Sequence, residues 1–531
     1  MDGIRILIFY LAVPSLLFSV LRQILSWRKK DGLSTKKIPG PQQFPVVGRV
    51  HDLDRFCMWK KFKEWADIYG PIYRTSMLGQ HFIIVSDEAI AQELLVKRGH
   101  IYSGRPQIRA LFDHKTGPGY MALMDRHDIW IRQRKWVHAA MADFHRHHFF
   151  GVIENEVKRY LAVLLLDPEK FHLNTREHCA RIMCRLAWDT AATQGKENAE
   201  SADCTLTQMS VSGPIVNTMT PLWSIPWAFN PWKKFERARE DNQRAWWLNS
   251  FQTAKQRFLR GDLPTDTWSN RYFTGLQKQG NSELTQTPEE EEFASCMLGF
   301  QNLIGVVTIS GPLQFFMLAM MLHPEWQRKA QEEIDRVCGS RMPTTDDMPE
   351  MPTVRACLKE STRWRSGVPL GVPHQAEQDD EYRGEKITKG TIILACEWSM
   401  NRVPERYPDP ESYRPDRFLE KGWPTYQEPL SRYPNFREGV GMHTFGWGRR
   451  TCLGQHIVDD EMFVTGASVL WAFNLNRKNC PKTGEAIELD SEATNAHVIL
   501  EPMPFPCDLQ PRSAEKVAQI LSGYAEVRDR L

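Results

Sequence analysis

Apolar and polar positions are spread unevenly along this chain, and the unevenness predicts its elements. From Ile6 to Leu21 the residues are apolar except Pro14, Ser15 and Ser19, and Arg22 follows. Extended to Leu25, the run approaches the ~20 residues that cross a bilayer. Further on, helical periodicity dominates, with short strand-like pieces such as His81–Val85 and Thr391–Ala395. One long helix is well signalled. Thr287 suits its N-cap, Pro288 its first position, and Glu290 completes a capping box. Glu289 to Glu292 favour the positive end of the helix dipole and otherwise form a solvated face. Phe293 to Leu322 carries no charged residue, so this helix is expected to run through the interior. His323-Pro324 ends it, and a charged amphipathic helix is expected over Glu325–Val337, stopping near Gly339. Gln455 to Phe473 reads as another helix.

Composition and charge divide the chain further. Arg28, Lys29, Lys30, Lys36 and Lys37 follow the apolar run, and no small-residue cleavage site does. Residues 1–30 are therefore expected to be a retained transmembrane signal anchor, with the rest of the chain cytoplasmic by the positive-inside rule. A core helix or an interfacial anchor is the alternative. Residues 31–48 form a basic, proline-rich hinge, stiffened by Pro39, Pro41 and Pro45. Residues 49–531 remain for one catalytic domain. Of the 531 residues, 42% are hydrophobic and 25% charged, enough for a sizeable core. A net charge of +2 gives no reason to expect nucleic-acid binding. Eleven cysteines without a C-x-x-C pair suit a reducing compartment better than a disulfide framework. Pro221–Trp232 combines Trp223, Trp227, Phe229 and Trp232 with Pro221, Pro226 and Pro231. Aromatic clusters are more often core. Here the prolines point to a surface loop whose indoles suit a membrane–water boundary.

The chemistry concentrates in Phe445-Gly446-Trp447-Gly448-Arg449-Arg450-Thr451-Cys452-Leu453-Gly454. A thiolate that binds iron needs N–H donors and a helix N-terminus nearby, and the helix from Gln455 provides one. Close approach to a flat macrocycle calls for glycine. Arg450 offers a cation to an anionic edge, and Phe445 can shield the sulfur. A nucleotide-binding G-x-G-x-x-G would need glycine at Thr451. A merely buried structural cysteine does not call for this setting.

This segment resembles the haem-binding signature of cytochromes P450, F-x-x-G-x-R-x-C-x-G, at every fixed position. Further matches extend the resemblance over nearly the whole chain. Glu360-Ser361-Thr362-Arg363 is similar to the family's E-x-x-R, whose pair meets a later Arg, here Arg417. Alone, that spacing is a common helix ion pair worth little. The resemblance gives the three residues a structural role in supporting the haem pocket. Trp130 and Arg134 match W-x-x-x-R, which implies contact with a haem propionate, and His374 stands where the family has another such contact. Phe144-His145-Arg146-His147-His148 invites a metal reading, but solvated loop histidines are commoner.

The long helix departs from the family. Its A/G-G-x-D/E-T, whose acid and alcohol relay protons during oxygen activation, is here Ile304-Gly305-Val306-Val307-Thr308. The alcohol, Thr308, is the catalytic candidate, and the acid is missing. Pro312 adds a kink, because it offers no N–H to the Thr308 carbonyl. A water held at that carbonyl is one substitute for the acid.

The resemblance implies a mainly α (α+β) single-domain fold with a small β-rich subdomain and an N-terminal anchor helix. It implies haem b as cofactor, with Cys452 ligating the iron and Phe445, Arg450 and Gly454 around it. It also implies O2, an NADPH-cytochrome P450 reductase, the endoplasmic reticulum membrane and a small apolar substrate. Lys359–His374 and the cysteine loop look most like fungal secondary-metabolite enzymes. The alternatives are an oxidative coupling, ring-forming or rearranging haem-thiolate enzyme, and a haem-binding protein without turnover.

Overall fold

The computed structural model describes residues 38–45, 47–146, 150–436 and 443–528. The N-terminal apolar run, and with it the expected anchor, lies outside the described residues. Before the long helix, the longer helices are α1 (Met58–Tyr69), α2 (Asp128–Arg146), α3 (Phe150–Leu166), α4 (Phe171–Trp188), α5 (Ala191–Met209), α6 (Pro231–Arg260) and α7 (Trp268–Lys278). Then come α8 (Pro288–Leu322), α9 (Pro324–Cys338), α10 (Pro352–Trp364), α11 (Gln455–Ala472) and α12 (Ala514–Val527).

A small sheet stands beside this helical body. Strands β1 (Ile72–Met77) and β2 (Gln80–Val85) form an antiparallel hairpin. After β3 (His374–Gln375), β4 (Asp380–Tyr382) and β5 (Glu385–Ile387), strand β6 (Ile392–Ala395) pairs parallel to β2, giving the order β1-β2-β6-β3. Ile83 and Ile393 are partners in that register, and both are buried as their β-branched runs require. Strands β7 (Phe473–Arg477) and β8 (Cys507–Pro511) form a separate antiparallel pair. The architecture is mainly helical with a small β-subdomain.

Helix α8 has the expected bounds and the expected start. Thr287 accepts from Glu290 N while the Glu290 carboxylate accepts from Thr287 N. Between Ala294 and Met321 every residue is buried except Ile304, Gly305, Thr308 and Pro312, which form one partly exposed stripe. Among the described residues α8 alone is long and apolar enough to cross a membrane, and 78% of its most apolar stretch is buried inside the protein. It is the central core helix.

Two segments read as connectors are tied to the body. Residues 38–48 lie along β1, where Arg74 N donates to Pro39 O at 2.8 Å and Ile38 is buried. Gly48 makes a single bridge to Met77 at the end of β1. The tryptophan-rich stretch folds into short 3₁₀ turns at Thr220–Ser224 and Trp227–Phe229, with Trp227 48% and Phe229 53% exposed. All eleven cysteines are free.

Candidate functional site

The chain reaches Cys452 through a tight turn set by glycines. Gly446 and Gly448 have φ of 73° and 52°, and a Cβ on Gly448 would stand 2.4 Å from the Leu95 carbonyl oxygen. Cys452 N donates to Phe445 O at 2.8 Å and closes the loop, while the Phe445 side chain is partly buried against the main core. Helix α11 starts three residues later at Gln455, with Gly454 as its N-cap. The Cys452 side chain is accessible, yet protein surrounds it at depth. Burial pushes its thiol up, and the N–H of Gly454, the Arg134 guanidinium and the N–H of Gln455 pull it down. Two backbone donors and a helix N-terminus therefore converge on one sulfur.

Cations gather beside it. Arg450 donates from Nε to Ser103 O at 2.8 Å, but both of its terminal nitrogens are buried without a partner. Its guanidinium lies 4.5 Å from the Trp130 ring centre, and that of Arg134 lies 5.4 Å from it. Arg134 also donates to Thr451 O at 2.7 Å. Arg105 donates to the carbonyls of Ala122, Val372 and Pro373. Burial, then Arg450 and Arg134, hold the Arg105 pKa well below its ordinary range. Among the described residues no ion pair is formed by Arg105, Arg134 or Arg450. Burial and Arg105 push His374 down to about 3, so it is neutral, and its Nδ1 lies 2.7 Å from Tyr102 O. A proton assigned to Nδ1 leaves Nε2 as a lone pair. An anionic group would oppose the part of that shift due to Arg105 and Arg450.

Asp125 and Glu377 act on the Arg105 and Arg450 guanidiniums only through space, and three clustered guanidiniums without an ion pair are costly, so the cluster suits an anion. A cofactor with a metal for the thiol and two carboxylates for the cations fits both halves of the site.

The supporting triad is fully buried. Arg363 grips Glu360 with two bonds of 2.7 and 2.8 Å, and Arg417 Nε reaches Glu360 Oε1 at 3.1 Å. Arg363 also donates to Asn401 O and Pro410 O, which fixes the chain that leads toward the cysteine loop. On α8, Thr308 Oγ1 donates back to Ile304 O at 2.9 Å. Val307 is 1% exposed and lies in the main core, off the accessible stripe. Among the described residues no group of three or more His, Cys, Asp or Glu side chains could hold a metal ion, and His147 and His148 lie outside them.

Such a helical body, with one thiol at a helix start and an unpaired cation cluster, is that of a haem-thiolate protein. The sequence matches the family model described as "Cytochrome P450" over residues 38–491, and the chain belongs to that family. It is 29% identical to the cytochrome P450 monooxygenase virE of Hypocrea virens, over 94% of this chain and 90% of the relative. It is 30% identical to cytochrome P450 monooxygenase ARMGADRAFT_1018420 of Armillaria gallica, over 92% and 93%. Cytochrome P450 monooxygenase 176 of Postia placenta is also 30% identical, over 91% of each chain. Haem b is thus the cofactor, and the chain is an oxygen-activating oxidoreductase supplied with electrons from outside.

Sequence reasoning missed two residues here. Arg105 lies in a loop, and only its unpaired charge among the other arginines marks it. Glu397 is buried and hydrogen-bonded by Ser366, Asn401 and Thr444, and burial pushes it up to about 7. It ties the chain after α10 to the residue preceding Phe445.

Proposed function

We propose that this chain is a membrane-anchored monooxygenase with Cys452 as the iron ligand. It takes electrons from an NADPH-cytochrome P450 reductase and oxidises an apolar small molecule in fungal secondary metabolism. The observation that carries the reading is the pairing of N–H donors on Cys452 with a cluster of Arg105, Arg134 and Arg450, in which both terminal nitrogens of Arg450 are buried without a partner. The Arg134 charge links the two, since it also lowers the Cys452 pKa.

In this reading Trp130, Arg134, Arg450, Arg105 and His374 hold the haem propionates. Phe445 shields the sulfur, and Gly454 lends its N–H. Glu360, Arg363 and Arg417 keep the pocket's frame. The bound haem supplies reductive activation of O2. Ile304, Gly305 and Pro312 form the accessible stripe around Thr308, whose hydroxyl holds a proton that it now donates to Ile304 O. The exposed Trp227 and Phe229 favour contact with the endoplasmic reticulum membrane, the catalytic body being cytoplasmic. Relatives named as cytochrome P450 monooxygenases support the oxygen-inserting reaction.

One observation favours a second reading. With Val307 apolar and buried, Thr308 has no neighbouring acid on α8. Oxidative coupling, ring formation or rearrangement without net oxygen insertion tolerates that loss. Turnover with reductase, NADPH and isotopically labelled O2 tests both on candidate apolar substrates. One labelled atom in the product supports the monooxygenase. An oxidised but unlabelled product replaces it with the second reading, and NADPH consumption that no candidate substrate changes contradicts both.

A further inference from the structure

Helix α8 has a weak turn at its centre. Pro312 brings no N–H to the Thr308 carbonyl, so the main-chain ladder is open beside the hydroxyl of the accessible stripe. The helix nevertheless continues to Leu322. Its brace comes from a residue 191 positions further along the chain. Ser310 Oγ donates to Glu501 Oε1 at 2.5 Å, and both residues are buried. The other carboxylate oxygen pairs with Arg176 of α4, which also meets Asp203 at 3.2 Å.

The contact is close because Gly311 permits it. A Cβ there would stand 2.4 Å from the Leu500 carbonyl oxygen and 3.1 Å from Glu501 Cγ. The same segment reaches the other side of Pro312. Leu500 N donates to Gly367 O at 2.7 Å, and a Cβ on Gly367 would lie 3.5 Å from Pro312 Cγ. A serine inside a helix ordinarily turns its hydroxyl back onto its own carbonyls, as Thr308 does. Ser310 instead reaches out to a buried charge, whose desolvation must be offset by what it holds.

We propose that Glu501 is a positioning residue for the reaction. The clamp Ser310–Glu501–Arg176 holds the proline-interrupted turn of α8 against the chain at Gly367, and so fixes where Thr308 stands. The proposal rests on α8 forming the wall of the haem site opposite Cys452.

The test compares full-length, haem-loaded wild type with Glu501→Gln, Ser310→Ala and the double variant. Imidazole, which ligates iron on the side opposite the thiolate, is the probe, followed by the Soret shift. Peroxide released per NADPH with reductase is the second readout. All variants should keep the thiolate-type band of the reduced, carbon-monoxide-bound protein, because the Cys452 side is untouched. A misplacement of ~1 Å costs up to ~10²-fold in a position-dependent reaction step, so peroxide leakage should rise several-fold, and imidazole affinity should shift measurably from wild type. Ser310→Ala removes the hydroxyl arm of the clamp and Glu501→Gln the charge that holds Arg176, so the double variant should match the more affected single one instead of summing the two. If Glu501→Gln does not fold, Ser310→Ala carries the test alone. Wild-type affinity and leakage in Ser310→Ala, or additive effects in the double variant, overturn the clamp. A wild type without the thiolate-type band overturns the haem-thiolate reading, and the clamp with it.

Discussion

Val307 is the position where a single side chain most changes the chemistry. It packs in the main core, so a carboxylate introduced there would be desolvated without a cation among the surrounding apolar groups. Val307→Asp should therefore not restore a proton relay. Stability should fall by at least about 2 kcal/mol, as for an unsatisfied buried polar group. Product per NADPH should fall or stay level. Turnover and peroxide leakage measured on the true substrate check this, and a clear gain in coupling would show an impaired hydroxylase that lacks only its acid. At this scale the sequence was informative wherever a motif is local. Cys452, the Glu360–Arg363 spacing and the Trp130–Arg134 spacing are all read within one turn. Arg105 and Glu501 were not legible, because their partners lie far away in sequence and no local pattern encodes a tertiary contact.

Helices α8 and α11 show how elements carry the site. The start of α8 was written in its capping box and its path in an uncharged run, so its bounds were legible to the residue. The end of α11 was not, since Phe473 continues the apolar pattern but opens strand β7. A short apolar run fits helix and strand alike, and pairing with β8 decides it. Helix α11 also buries Glu461, whose pKa burial pushes up to about 8, with the Cys179 thiol opposing that rise only in part. The folded protein keeps a proton there that the unfolded chain releases above its ordinary 4.5. The stability from this group is thus fully present below that value and is lost as pH rises through about 8. Glu461→Gln replaces the protonated carboxyl with a neutral one. Its stability should match wild type in acid and exceed it by a few kcal/mol at the alkaline end of that window. Denaturation followed at several pH values checks this, and parallel curves for the two proteins would contradict it.

At the scale of the whole molecule, the helical body, the four-stranded sheet and the cysteine loop meet at one place. The triad of Glu360, Arg363 and Arg417 joins α10 to the chain before the loop, and β2 and β6 join residues more than three hundred positions apart. Fold class was legible through the resemblance to the P450 family, with which the dominant helical periodicity and few strand-like pieces agree. The docking of residues 38–48 on β1 was not, since proline-rich chain reads as a spacer whether or not an edge strand receives it. Everything proposed about the reaction depends on one sulfur among eleven cysteines. The most direct test is the spectrum of the reduced, carbon-monoxide-bound protein. Wild type should show the red-shifted Soret band of thiolate-ligated haem. Cys452→Ser should abolish it, while Cys357→Ser and Cys396→Ser, at buried thiols remote in sequence, should leave it intact. An unchanged band in Cys452→Ser would contradict the account.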